Sequence, residues 1–171
     1  MATGELEPWM RGTYGDVPAV LRAVIHALEQ AEEDLHRWCG TLTDAEWNLQ
    51  PHEMASVAFH VRHLAGSTDR LLTYAEGKQL SSEQLETMRN EGAPLAVGAA
   101  VITALTASLA EAKRRVKAFA DKDLEAPRAL GRKQLPTSVG GLLVHVAEHA
   151  ARHVGQAVTT TRVVIAQRGS F

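Results

Sequence analysis

The sequence predicts an all-α protein, one domain folded as a four-helix bundle. Apolar residues recur at helical spacing in four long segments, strand-like alternation is almost absent, and the breaks fall at Gly and Pro. With 171 residues, 45% of them hydrophobic, the chain can bury a sizeable core as one compact unit. Long helices with no internal repeat or low-complexity tract pack as an up-and-down or crossover bundle.

The first helix is predicted over about 17–38, opened by Asp16 and Pro18 as cap and first-turn proline and stopped near Gly40. Thr43-Asp-Ala-Glu46 reads as a small capping box in the connection that follows. The second helix runs over about 56–76, with Val57, Val61, Leu64, Ala65, Leu71, Leu72 and Ala75 at helical spacing and Gly77 as its stop. Ser81-Ser-Glu-Gln84 caps a short helix that ends at Gly92-Ala-Pro94. The third long helix, about 95–120, is rich in Ala and Leu and turns basic at Lys113, Arg114 and Arg115, read as a solvated end complementing the helix dipole. Pro127, Gly131 and Pro136 mark a long connection, and Thr137 caps the fourth helix, about 138–165. Gly140 and Gly141 weaken its first turn but permit close packing or backbone approach to a ligand.

Charge and composition exclude several classes of function. Lys and Arg number 18 against 20 Asp and Glu, a net charge of -2, so nothing favours nucleic acid or an anionic membrane as partner. The start, Met1-Ala-Thr-Gly-Glu-Leu-Glu, is acidic where a secretory signal is basic and then apolar, and the small apolar run Ala96 to Leu105 is too short to span a bilayer. A cytoplasmic location is expected. Cys39 is the only cysteine, so neither an internal disulfide nor a thiolate metal cluster is available, and it reads as a small hydrophobe.

The chemistry lies in the histidines. His145, His149 and His153 stand four residues apart, one above another on one face of the fourth helix. At about 100° per residue, Val139, Leu142, Leu143, Val146, Ala150, Val154, Ala157, Thr161 and Val164 form an apolar arc centred near Ala150. His153 falls inside its edge, His149 on its border and His145 further towards solvent, so the buried pair is His149 and His153. On the second helix His60, His63, Ser67, Arg70 and Tyr74 form a polar stripe beside the apolar arc. Two imidazoles from one helix and a third from another make a transition-metal site, and either His60 or His63 could complete it. Periodicity mildly prefers His60 and does not decide.

Other metal and cofactor chemistries fail on their residues. A zincin needs Glu directly after the first His of H-E-x-x-H, where this chain has Ala150. A di-iron bundle needs two E-x-x-H motifs and the chain offers one such spacing, Glu33 to His36, on the first helix. No Gly-rich phosphate loop occurs, and His26 and His52 stand alone as surface or boundary residues.

The segments Ser56-Val-Ala-Phe-His-Val-Arg-His63-Leu-Ala-Gly-Ser-Thr-Asp-Arg-Leu-Leu and His145-Val-Ala-Glu-His149-Ala-Ala-Arg-His153-Val-Gly-Gln156 resemble the two signature helices of the DinB/YfiT-like metalloenzyme superfamily, and helix order, lengths and the gap between the motifs fit over nearly the whole chain. The resemblance implies a four-helix bundle of up-down-down-up or similar crossover topology, often a homodimer. It implies His63, His149 and His153 as ligands to a divalent metal, nickel or zinc. His60, His145 and Gln156 are left as candidates for the second shell or substrate pocket. Despite the family's name it implies neither a DNA polymerase nor a DNA binder. Its characterised members include bacillithiol and mycothiol S-transferases and a mycothiol-dependent maleylpyruvate isomerase.

Three neutral imidazoles leave a divalent cation at least one open position and its full charge, which lowers the pKa of a thiol or water there. The expected function is that of a metal-dependent enzyme acting on a small molecule, with transfer of a low-molecular-weight thiol to an electrophile placed ahead of hydrolysis by the resemblance. The alternatives are a metal-dependent hydrolase, a non-catalytic metal-binding or stress-response bundle, and a dimeric scaffold whose histidines line a pocket.

Overall fold

The computed structural model describes residues 6–95 and 98–168. Four long helices dominate it: α1 (Ala19–Cys39), α2 (Val57–Ala75), α4 (Ala99–Lys117) and α5 (Val139–Ala166), with a short α3 (Ser82–Asn90) between α2 and α4. All four lie within a few residues of the predicted segments. The predicted start of the third long helix at 95 abuts residues 96 and 97, which lie outside the described residues, as do 1–5 of the acidic start.

α5 packs against α1 and α2, and α4 against the same two helices, so α1 and α2 lie across the bundle from each other. Their apolar stripes meet in the centre, where Leu21, Ile25, Leu28 and Leu35 of α1, Val57 and Leu64 of α2, Leu105 and Leu109 of α4, and Leu143 of α5 are almost completely buried. No described helix is long and apolar enough to cross a membrane.

The helix ends obey local chemistry. Ser56 accepts a hydrogen bond from the Phe59 amide and opens α2, and beyond its end Gly77 takes a left-handed conformation at φ 76°. Ser81 and Gln84 form the predicted capping box on α3, and Thr43 and Glu46 bond reciprocally as expected. α1 differs, because Pro18 holds its N-cap position without a side-chain hydrogen bond. α4 stops at Lys117, where tighter three-residue turns carry the chain through Ala120.

The connection from 127 to 138 is a correction to the expected loop. Pro127–Leu130 (β1) and Leu135–Ser138 (β2) pair as an antiparallel hairpin, with Gly131 and Gln134 at positive φ in its turn. In a two-stranded ribbon every strand is an edge, so Pro127 and Pro136 are tolerated where a central strand would exclude them. The hairpin also shifts the cap of α5 by one residue: Ser138, not Thr137, accepts the Gly141 amide, at 3.1 Å. The Gly140 amide donates to Leu124 O at 2.8 Å, an approach that a side chain at 140 would crowd. Arg128 donates Nε–H to Ala75 O and ties the hairpin to the end of α2.

The basic run at the end of α4 is only partly the solvated face expected. Arg114 is exposed and pairs with Glu111, whereas Arg115 is nearly buried and bridges Asp69 Oδ1 at 2.5 Å and Glu76 Oε1 at 2.7 Å, fastening α4 to α2.

Candidate metal centre

α2 and α5 meet along a seam lined by histidines. On α2, His60 turns inwards with Val57, Val61 and Leu64, while His63, one step round the helix, is half-buried. On α5 exposure falls from His145 through His149 to His153, the order the apolar arc predicts. The four-residue spacing then sets His149 and His153 edge to face with ring centroids 4.5 Å apart, and His63 lies beside both, 5.1 Å from His149 and 4.5 Å from His153.

His63, His149 and His153 each offer a ring nitrogen within 4.8 Å of the others, and together they could hold a metal ion. His63 Nε2 and His149 Nε2 are 3.1 Å apart. Two nitrogens on a tetrahedral zinc at about 2.0–2.1 Å lie roughly 3.4 Å from each other, so this separation suits a shared cation with little movement. Buried His149 Nδ1 finds no hydrogen-bond partner among the described residues. Three imidazoles packed this closely across two helices fit a divalent cation.

The electrostatics keep His149, His153 and His60 neutral. Burial, followed by the neighbouring His63, lowers His149 to about 4; burial, followed by His149 and His63, lowers His153 to about 4; and burial, then His63, lowers His60. Each ring therefore presents an uncharged nitrogen at neutral pH.

Of the outer candidates, His60 lies inside the cluster, with Nδ1 3.1 Å from His153 Nδ1. His145 sits at the outer edge, its Nδ1 3.4 Å from Glu148 and its ring 5.6 Å from His149. Gln156 is exposed and, with His60 and Arg152, borders a cleft of about 580 Å³. Glu33 pairs with Arg11 instead of joining a metal site. His26 is buried rather than a surface residue, its Nε2 3.0 Å from Thr13 Oγ1. Cys39 is buried with its thiol pushed up by burial, consistent with a packing role.

One residue at the centre went unread in the sequence. Glu91, at the C-cap of α3, reaches His63 Nδ1 at 2.7 Å and Arg70 Nη1 at 2.6 Å. Burial works to raise this carboxyl, but the hydrogen bonds from His63 and Arg70 hold it below the usual carboxylate range.

The bundle is similar to a solved crystal structure described as a conserved protein of locus from Enterococcus faecalis, with a TM-score of 0.65 at 23% identity over 86% of this chain and 98% of that one. At that identity the likeness concerns the fold. No curated protein matches the chain in sequence. The DinB superfamily matches over residues 27–157, a stretch that takes in His60, His63, Glu91 and the three histidines of α5. With that match across well over half its length, the chain belongs to the DinB superfamily.

Proposed function

We propose that the protein is a metal-dependent enzyme in which His63, His149 and His153 bind one nickel or zinc ion, and that it transfers a low-molecular-weight thiol to a small electrophile. The observation that carries this reading is the convergence of three histidine ring nitrogens within 4.8 Å on two facing helices. When bound, the metal supplies a Lewis acid that favours the deprotonated form of a thiol or water at neutral pH. The resemblance to thiol-dependent transferases supports thiol transfer over hydrolysis.

The remaining groups serve binding and proton movement. His60, Arg152, Gln156, Thr159 and Thr160 border the cleft between the start of α2 and α5, where a small molecule would reach the cluster. Arg152 offers a guanidinium to an anionic group on a substrate. Through its contact with His153, His60 is placed to hold a proton at the inner end of the cleft. On the same resemblance, we read the protein as a homodimer.

Elemental analysis of protein purified without an affinity tag is expected to find stoichiometric nickel or zinc. His63→Ala, His149→Ala and His153→Ala each abolish it, while His145→Ala retains most. Holo protein is expected to conjugate bacillithiol, mycothiol, glutathione or cysteine to a haloaromatic or epoxide faster than apo protein. Holo no faster than apo on every pair overturns the transferase reading. If ester and amide hydrolysis is also absent, the non-catalytic binding bundle takes its place.

A further inference from the structure

Glu91 enters the site from outside the two histidine helices. It is 3% exposed, yet α3, which it terminates, buries none of its own residues. Apolar packing of α3 therefore does not account for the burial of this carboxylate, which costs desolvation unless paired. Both of its oxygens have a partner: Oε1 meets Arg70 and Oε2 meets His63. Gly66 leaves room for the arrangement, since a Cβ at that position would stand 2.5 Å from Glu91 Oε1 and 2.8 Å from Arg70 Nη1.

The consequence is a fixed proton on His63. An ionised carboxylate only accepts, so His63 Nδ1 must donate, and the nitrogen left to bind a metal is Nε2, the one facing His149. Among the described residues His60 has no carboxylate partner. Its Nδ1 meets another imidazole nitrogen, His153 Nδ1, so a proton there is shared inside the cluster.

We propose that Glu91 is the positioning residue of the metal centre: it holds His63 in the Nε2-ligating tautomer and so selects His63 over His60 as the ligand supplied by α2. The proposal rests on the metal reading above. Carboxylates of this kind raise the basicity of the ligand, and their loss typically weakens metal binding about 10–100-fold.

The test is a cobalt(II) titration of the full chain, read by the visible d–d absorption, alongside far-UV circular dichroism. Glu91→Gln is expected to bind cobalt about 10–100-fold more weakly than wild type, with altered d–d bands and unchanged helicity, while His60→Ala still binds stoichiometric cobalt. Should Glu91→Gln fail to fold, Glu91→Gln with Arg70→Gln removes the buried charge pair together, leaves His63 an uncharged acceptor, and carries the same expectation. Either folded variant binding within twofold of wild type with the same spectrum overturns the proposal, as does loss of cobalt in His60→Ala. Wild type that binds no cobalt would instead overturn the metal reading itself.

Discussion

The behaviour of His149 and His153 in acid follows from their burial. An ordinary histidine titrates at about 6.5, but both rings are lowered to about 4 in the fold. The unfolded chain then binds more protons than the folded one between those values, so stability is fully present above about pH 6.5 and is lost as the pH falls towards 4. Metal-free protein is expected to melt at a progressively lower temperature from about pH 7 to about pH 4.5, and His149→Ala with His153→Ala should flatten that dependence. A thermal series at fixed ionic strength checks it; an equal slope in the double variant contradicts it. The same shift means that proton competition for the metal at these two nitrogens begins well below the ordinary histidine range. Within the sequence, the order of burial along α5 was legible because a four-residue spacing against an apolar arc leaves little freedom. Periodicity left the choice between His60 and His63 open, because both lie on one polar stripe; the resemblance implied His63, and the contact with Glu91 that supports it comes from a distant segment.

Each helix is fastened by a few polar contacts that periodicity does not register. Arg114 and Arg115 are neighbours in one basic run, but side-chain exposure is 71% for the first and 13% for the second. Arg115→Ala removes both ion pairs at the α2–α4 contact, leaving Asp69 with Gln84 and Glu76 with Lys78, and is expected to cost about 1–3 kcal/mol. Arg114→Ala removes an exposed pair and should leave the stability unchanged. Urea unfolding of the two variants measures the contrast, and equal midpoints would refute it. The hairpin escaped notice because its strands are four residues each and carry proline. α3 was visible through its capping box, but its attachment was not. It lies on α2 through Gln84 bonded to Asp69 and Thr73, Arg62 bonded to Asn90 O and Ala93 O, and Glu91 on Arg70 and His63, all polar contacts between distant segments.

At the scale of the whole molecule, the cluster lies between two helices of the same bundle, so a metal bound there stabilises the fold as well as the site. By mass action, free metal at 100 times its dissociation constant adds about 2.7 kcal/mol, or about 5–10 °C in melting temperature for a chain of this size. Scanning calorimetry of metal-loaded protein with and without a chelator at about pH 7.5 is expected to show that difference. An unchanged melting curve, in a sample shown to contain metal, would place the ion elsewhere. The bundle itself was legible from four amphipathic segments, because each must bury its stripe against the others.

His63 and His149 are 86 residues apart in the chain. During synthesis α2 is complete long before α5 emerges, and α5 alone offers only two imidazoles of the proposed trio. A growing chain thus cannot present all three, and acquisition of the ion becomes a late event that follows docking of the last helix. A truncated chain, or one whose final helix has not docked, would lack two of the three nitrogens of the proposed site.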